Sequence, residues 1–180
     1  MKIKVINTDD IYRGLLSLDK MLKKHLVSEF GREILRGGRI SRSNLRKRVL
    51  GNESNLSKVS EISHPYIISA LKKELNSYRK MPGIIAVEVP LLYETGLENL
   101  FDKVIVVLAK KNNQVSRGLR LGYKRKQIQF FLACQLPLGY KKDKADYVLF
   151  NYKGREELYK QLKGVIEDIK NNQSLQQISA

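Results

Sequence analysis

One cysteine, Cys134, stands in 180 residues, so no internal disulfide can form and no Cys/His cluster offers zinc a set of ligands. No apolar run approaches the roughly 20 residues that cross a bilayer, and Met1-Lys2-Ile3-Lys4 has none of the character of a signal peptide. These absences exclude a disulfide scaffold, a zinc module and a helical membrane protein, and they point to the reducing cytoplasm. Two further absences are more pointed. Between Lys103 and Lys142 there is no Asp or Glu. No G-x-x-x-x-G-K-S/T occurs anywhere, so the usual glycine-rich cradle for nucleotide phosphates is missing.

What is present is ordinary in bulk and unusual in sign. Hydrophobic residues make up 42% and charged ones 29%, as in a soluble globular domain, and 180 residues suffice for one core. Thirty-four Lys and Arg against eighteen Asp and Glu leave a net charge of +16, which speaks of anionic partners rather than of fold. Lys103, Lys110, Lys111, Arg117, Arg120, Lys124, Arg125, Lys126, Lys141 and Lys142 fill the acid-free stretch, whereas a merely solvated face would mix both signs. Something polyanionic is expected to meet this part of the surface.

Lys2 to Ile6 alternates in polarity and reads as a strand, after which Asn7-Thr8-Asp9-Asp10 offers side-chain oxygens to the first amides of a helix. Leu18 to Phe30 has helical spacing, with Gly31 as its stop. After Gly37-Gly38 the pattern predicts three short helices. The first opens at Ser43 or Asn44 and closes at Gly51, the second carries Leu56, Val59 and Ile62, and the third starts near Pro65. Ile84 to Val87 and Val104 to Ala109 are continuous apolar runs, the pattern of parallel strands covered on both faces. Arg117 to Ala133 is helical in pattern, interrupted by Gly118 and Gly122. Tyr147 to Phe150 reads as a last strand, and Leu158, Leu162, Ile166 and Ile169 mark a final amphipathic helix. Asn171 to Ala180 lacks periodicity and is expected as a flexible tail. Strands alternating with helices predict an α/β class.

Several segments carry chemistry. An Asp at the C-terminal end of a parallel strand sits where open α/β sheets bind ligands, which singles out Asp9. Read alone, the segment favours the plainer reading, in which Asp9 or Asp10 caps a helix. Gly38-Arg39-Ile40-Ser41-Arg42 reads as a turn leading into a capped, basic helix. His64-Pro65 opens a helix, and its imidazole is either a local hydrogen-bonding group or a substrate contact. Val89-Pro90-Leu91-Leu92-Tyr93-Glu94-Thr95-Gly96 follows a buried strand and sets the Glu94 carboxylate beside an apolar ledge that includes Leu91. Arg117, Arg120 and Lys124 follow the spacing i, i+3, i+7, so one helical face would present three cations, and guanidinium forks suit phosphate. With Tyr123, Phe130 and Phe131 nearby, the same run also fits a nucleic-acid-facing helix.

The stretch Gln135 to Asn151 reads Q-L-P-L-G-Y-K-K-D-K-A-D-Y-V-L-F-N: a basic run, then Ala145-Asp146, a short apolar strand and a terminal Asn. It resembles the lid-to-last-strand segment of dephospho-CoA kinases, which transfer a phosphoryl group from ATP to the ribose of dephospho-coenzyme A. The other segments are similar to that family's motifs in the same order, from Val5 to about Ile169. Val5-Ile6-Asn7-Thr8-Asp9 matches V-I-D-A-D apart from an amide in place of the first carboxylate. Phe30-Gly31, Arg42 with Leu45, His64-Pro65 and the V-P-L-L-x-E-x-G of Val89 to Gly96 follow. Gly37 and Ser41 stand where the family writes acids, and Phe131 where it often has a lid arginine.

The resemblance implies a three-layer, P-loop-kinase-like α/β fold. Its parallel sheet would be flanked by helices and shortened at the N-terminus by one strand, the phosphate loop and one helix. It implies a single domain over 1–170, with a helical acceptor-side insertion at 31–80 and a lid at 117–140, before the 171–180 tail. Asp9 takes the role of acceptor for the ribose hydroxyl proton, and Arg117 that of the arginine over the transferring phosphoryl group. Arg42, His64, Leu91 and Glu94 would contact dephospho-CoA. Arg117, Arg120, Lys141 and Asn151 would contact ATP, expected with Mg2+. The implied reaction phosphorylates the ribose 3'-hydroxyl, the last step of coenzyme A biosynthesis, at a rate lowered by the missing phosphate loop. The chain then reads as starting downstream of a true start, or as a shortened relative that still binds dephospho-CoA. The lost strand would leave sheet edges for a second chain to fill. A basic nucleic-acid-binding domain is the alternative reading, and no membrane partner is expected.

Overall fold

The apolar runs fold as strands and the 3.6-period segments as helices, in a computed structural model that describes residues 3–178. Their contacts gather into two units, Met1–Thr95 and Gly96–Ala180. Each is built on one pair of parallel strands.

In the first unit, strand β1 (Lys4–Asn7) leads directly into helix α1 (Thr8–Leu18), and Asn7 caps that helix. Helix α2 (Lys20–Phe30) begins one residue after α1 ends, because Asp19 turns the chain and accepts the amides of Met21 and Leu22 at 2.9 and 2.8 Å. Gly31 ends α2 at a φ of 81°, and a Cβ there would collide with the Glu33 carboxylate. A small antiparallel hairpin of β2 (Leu35–Arg36) and β3 (Arg39–Ile40) turns at Gly37-Gly38. Helices α3 (Arg42–Val49) and α4 (Glu53–Tyr78) follow, and strand β4 (Ile85–Glu88) returns parallel to β1 with Asn7 opposite Glu88. The core lies among the helices: Leu16, Leu22, Leu26, Phe30, Ile34, Ile40 and Leu45 form one buried cluster, backed by Val59, Ile62 and Tyr66 of α4.

In the second unit, strands β5 (Ile105–Leu108) and β6 (Tyr147–Phe150) are parallel. Between them come helices α5 (Lys111–Arg120), α6 (Arg125–Ala133) and α7 (Leu138–Lys144), and α8 (Arg155–Ile178) packs back on β6. Asp146 ties the strand starts together, accepting the Val104 amide at 2.8 Å and the Lys103 ammonium at 2.9 Å. The Lys103 ammonium and the Val104 N–H hold its carboxyl below the usual aspartate range. Gln161 of α8 brackets β6 from the other side, accepting the Phe150 amide at 2.8 Å and donating to its carbonyl at 3.1 Å.

Three expectations change. The segments around Leu56 and Pro65 form one helix, with Pro65 inside it. An interior proline lacks an amide donor and costs about 3 kcal/mol. Val59, Ile62 and Tyr66 pack on the core on both sides of that point, and this burial outweighs the local preference. The Arg117–Ala133 segment divides instead into two helices, with a turn at Gly122 (φ 84°). Gly118 is a contact as well as an interruption, since a Cβ there would lie 2.7 Å from Ile128 Cδ1, so α6 sits directly on the α5 backbone. Finally, the strands are not covered throughout: Ile6 and Leu149 are buried, but Val5 is 64% and Val107 52% exposed. An apolar run records what a strand can bury, not how far neighbouring elements reach. Lys2 of the expected first strand, and Ser179 and Ala180 of the expected tail, lie outside the described residues. The α8 backbone continues past Asn171 to Ile178.

Leu26 is fully buried in the first unit's cluster. Leu26→Ala is expected to lower the unfolding free energy by about 2–5 kcal/mol, read from urea melts. A loss below about 1 kcal/mol would mean that this cluster does not carry the fold.

Candidate active site

The C-terminal ends of β1 and β4 meet at a small network. Asn7 Nδ2 donates to Glu88 Oε2 at 2.7 Å, and the Asn7 Oδ1 atom accepts the backbone amides of Asp9 and Asp10 at 2.8 and 3.4 Å. Thr8, 6% exposed, donates its hydroxyl to the Glu88 carbonyl at 2.9 Å. Asp9 and Asp10 thus stand in the first turn of α1, where the helix dipole favours negative charge. The two acids differ: Asp10 is paired with Arg13 at 2.8 Å, whereas the Asp9 carboxylate has no hydrogen-bond or ion-pair partner among the described residues. The N-cap of α1 is Asn7, not Asp9 or Asp10.

Nearby in the same unit, the Ser63 hydroxyl, buried on α4, donates to Tyr12 OH at 3.2 Å. Burial pushes the Tyr12 phenol up, while the Ser63 hydrogen bond and the charge of Arg42 pull it the other way, so Arg42 at the start of α3 lies within electrostatic reach. His64 follows Ser63 and is half-buried, and desolvation alone pushes its imidazole below the ordinary histidine range. Leu91 and Glu94, both half-buried, sit in the turn after β4, which Thr95 closes by donating its hydroxyl to the Leu91 carbonyl at 2.7 Å. Asp9, Arg42, His64, Leu91 and Glu94 therefore all belong to the first unit.

The second unit carries the remaining candidates. Arg117 and Arg120 lie one turn apart on α5, and both are exposed. Lys124 does not join their face. It stands beyond the Gly122 turn, at the N-cap of α6, with its amide donating to Gln127. Lys141 on α7 is only 8% exposed, unusual for a lysine. Asn151 directly follows β6, and its amide donates to the Leu108 carbonyl at 2.8 Å, extending the ladder by one rung. The rings of its sequence neighbours Phe150 and Tyr152 lie 5.3 Å apart, and the Lys110 ammonium stands 5.5 Å from the Tyr152 ring. Cation and aromatic surface are thus both present at the C-terminal ends of β5 and β6.

Sequence reasoning missed Glu88, Tyr12 with Ser63, and Gln161. Only the strand register could have flagged Glu88, because its partner is 81 residues away. Among the described residues no three His, Cys, Asp or Glu side chains gather as a metal-binding group, and no helix is long and apolar enough to cross a membrane.

A family model described as dephospho-CoA kinase matches residues 1–157. The dephospho-CoA kinase of Bdellovibrio bacteriovorus is 31% identical, over 94% of this chain and 87% of that protein. That of Fusobacterium nucleatum is 32% identical, over 92% of this chain and 86% of that protein. Among solved structures, TT1252 from Thermus thermophilus superposes with a TM-score of 0.72 at 26% identity, covering 92% of this chain and 84% of that one. Dephospho-CoA kinase from Campylobacter jejuni superposes at 0.68 over 94% and 87%, and at 24% identity it speaks for the fold alone.

The depressed imidazole gives a signed expectation. The unfolded chain takes up a proton on His64 at a higher pH than the folded one, so its contribution to stability is intact above about pH 6.5 and is lost as pH falls through the lower folded value. Urea midpoints at pH 7.5 and 5.5 should differ more for the natural protein than for His64→Asn. Equal differences would remove His64 from the linkage.

Proposed function

This chain belongs to the dephospho-CoA kinase family, and on that premise we propose that it transfers the γ-phosphoryl group of ATP to the ribose 3'-hydroxyl of dephospho-CoA. The observation that supports the reading is the strand-end network, in which the Asp9 carboxylate has no partner among the described residues and stands at the C-terminal ends of two parallel strands, where open α/β sheets bind ligands. Asp9 orients the ribose hydroxyl and receives its proton. Phosphoryl transfer has a loose transition state, so orientation matters more than basic strength. Arg42, His64, Leu91 and Glu94 bind the acceptor, with Arg42 suited to its phosphates by its planar fork.

Arg117, Arg120 and Lys141 supply positive charge to the nucleotide phosphates, Arg117 at the group in transfer, and Asn151 lies beside the adenine. Magnesium bound with the nucleotide would neutralise phosphate charge, and among the described residues no three His, Cys, Asp or Glu side chains gather to hold it without the nucleotide. The 180 residues contain no glycine-rich phosphate loop, so nucleotide binding falls to these cations and turnover by this chain alone is slow. Each two-stranded pair has an edge with no strand partner among the described residues, and this reading assigns a further strand there to another segment or a second chain.

The test is formation of coenzyme A from ATP and dephospho-CoA, followed by mass spectrometry, with calorimetry for dephospho-CoA binding. ATP consumption should depend on dephospho-CoA, and Arg117→Ala should lower turnover by roughly a thousandfold. An unchanged rate would remove Arg117 from the mechanism. Binding of random oligonucleotides that weakens steeply with salt, with no binding of dephospho-CoA, would favour a nucleic-acid role instead.

A further inference from the structure

We propose that Glu88 is a positioning residue for Asp9 and acts through the Asn7 side chain. The inference rests on the phosphoryl-transfer reading above. Asn7 is bound on both sides of its amide: the oxygen accepts the Asp9 and Asp10 amides, and the nitrogen donates to Glu88. Rotating that amide by half a turn would set its NH2 group against two N–H donors and its oxygen against a carboxylate. Only one orientation satisfies the site, and Glu88 selects it.

Glu88 is itself held in two ways. Its backbone pairs in register with Asn7, and its carbonyl accepts the buried Thr8 hydroxyl. The path from β4 to the start of α1 thus runs through one part-buried bond, from Thr8 to the Glu88 carbonyl, and one exposed bond, from Asn7 to the Glu88 carboxylate. Without the Glu88 carboxylate, the Asn7 amide has one anchor instead of two, and the first turn of α1, with Asp9 in it, gains freedom. Misplacement of a reacting group by about 1 Å can lower a rate about a hundredfold. The effect is expected in kcat, because the Glu88 carboxylate bonds the Asn7 side chain that supports the Asp9 amide.

The chemistry also predicts which substitutions compensate. Glu88→Ala removes the acceptor. Glu88→Gln keeps an oxygen that can accept the Asn7 amide. Asn7→Asp places two carboxylates face to face, which repel. The pair Asn7→Asp with Glu88→Gln reverses the donor and acceptor and restores both bonds. The amide introduced on β4 then donates to the carboxylate introduced on β1, and that carboxylate still accepts the Asp9 amide.

Coenzyme A formation and dephospho-CoA binding are measured for the natural protein and these four variants, with far-ultraviolet dichroism to check folding. The expected result is a kcat about tenfold lower for Glu88→Ala and for Asn7→Asp, with KM for dephospho-CoA within about twofold. Glu88→Gln and the reciprocal double variant should recover most of the rate. Should Glu88→Ala fail to fold, Asn7→Asp and its rescue by the second substitution carry the test. Natural turnover matched by Glu88→Ala, or a double variant no better than Asn7→Asp, overturns the role of Glu88 and leaves the kinase reading standing. A natural protein that neither binds nor phosphorylates dephospho-CoA overturns both.

Discussion

Two parallel strands cannot be joined by a tight turn, because the chain must leave one end of the pair and return to the other. That constraint organises both units. From the end of β1 at Asn7 to the start of β4 at Ile85, the whole chain is one crossover, and it contains four helices and the hairpin. From the end of β5 at Leu108 to the start of β6 at Tyr147, a second crossover holds α5, α6 and α7. The entropy of closing such long connections grows only slowly with length, and the first crossover offsets it with a buried cluster of its own. The candidate groups follow from this arrangement. Asp9, Arg42 and His64 lie within the first crossover and Glu94 just after β4. Arg117, Arg120 and Lys141 lie within the second, and Asn151 directly follows β6.

The strands and caps were legible because they depend on neighbouring residues. Asn7 caps α1 and Gly31 ends α2, as their local chemistry requires. The apolar runs at Ile85 and Ile105 are parallel strands, as their composition suggests. The failures share a cause of another kind. Pro65 looked like a helix start because its local preference is strong, yet burial on both sides of it decided the outcome. Lys124 looked like a third cation on one face because the 3.6-residue period was carried through Gly122, whose positive φ ends it. Glu88 was invisible because its meaning lies in a partner across the sheet, and register is not written in either strand alone.

The motifs that gave the family away do not all carry chemistry. Asp146, inside the most telling stretch, ties the starts of two strands to Lys103 and Val104. Gly118, next to Arg117, is small so that Ile128 can lie on the helix backbone. Asp146 joins the starts of β5 and β6, and the Gly118–Ile128 contact joins α5 to α6. The distinction matters for reading variants, because Asp146 and Gly118 make contacts that hold elements together, whereas Asp9 and Arg117 carry reactivity only in the proposed reading.

The bracket that Gln161 forms around Phe150 has a consequence for how the molecule can associate. The amides of Tyr147 and Asn151 point toward β5, so the N–H and C=O of Phe150 point to the opposite side of β6. One glutamine occupies both groups and imitates the hydrogen bonds of an incoming neighbour. At this residue that margin of β6 therefore has no free backbone N–H or C=O to offer an added strand.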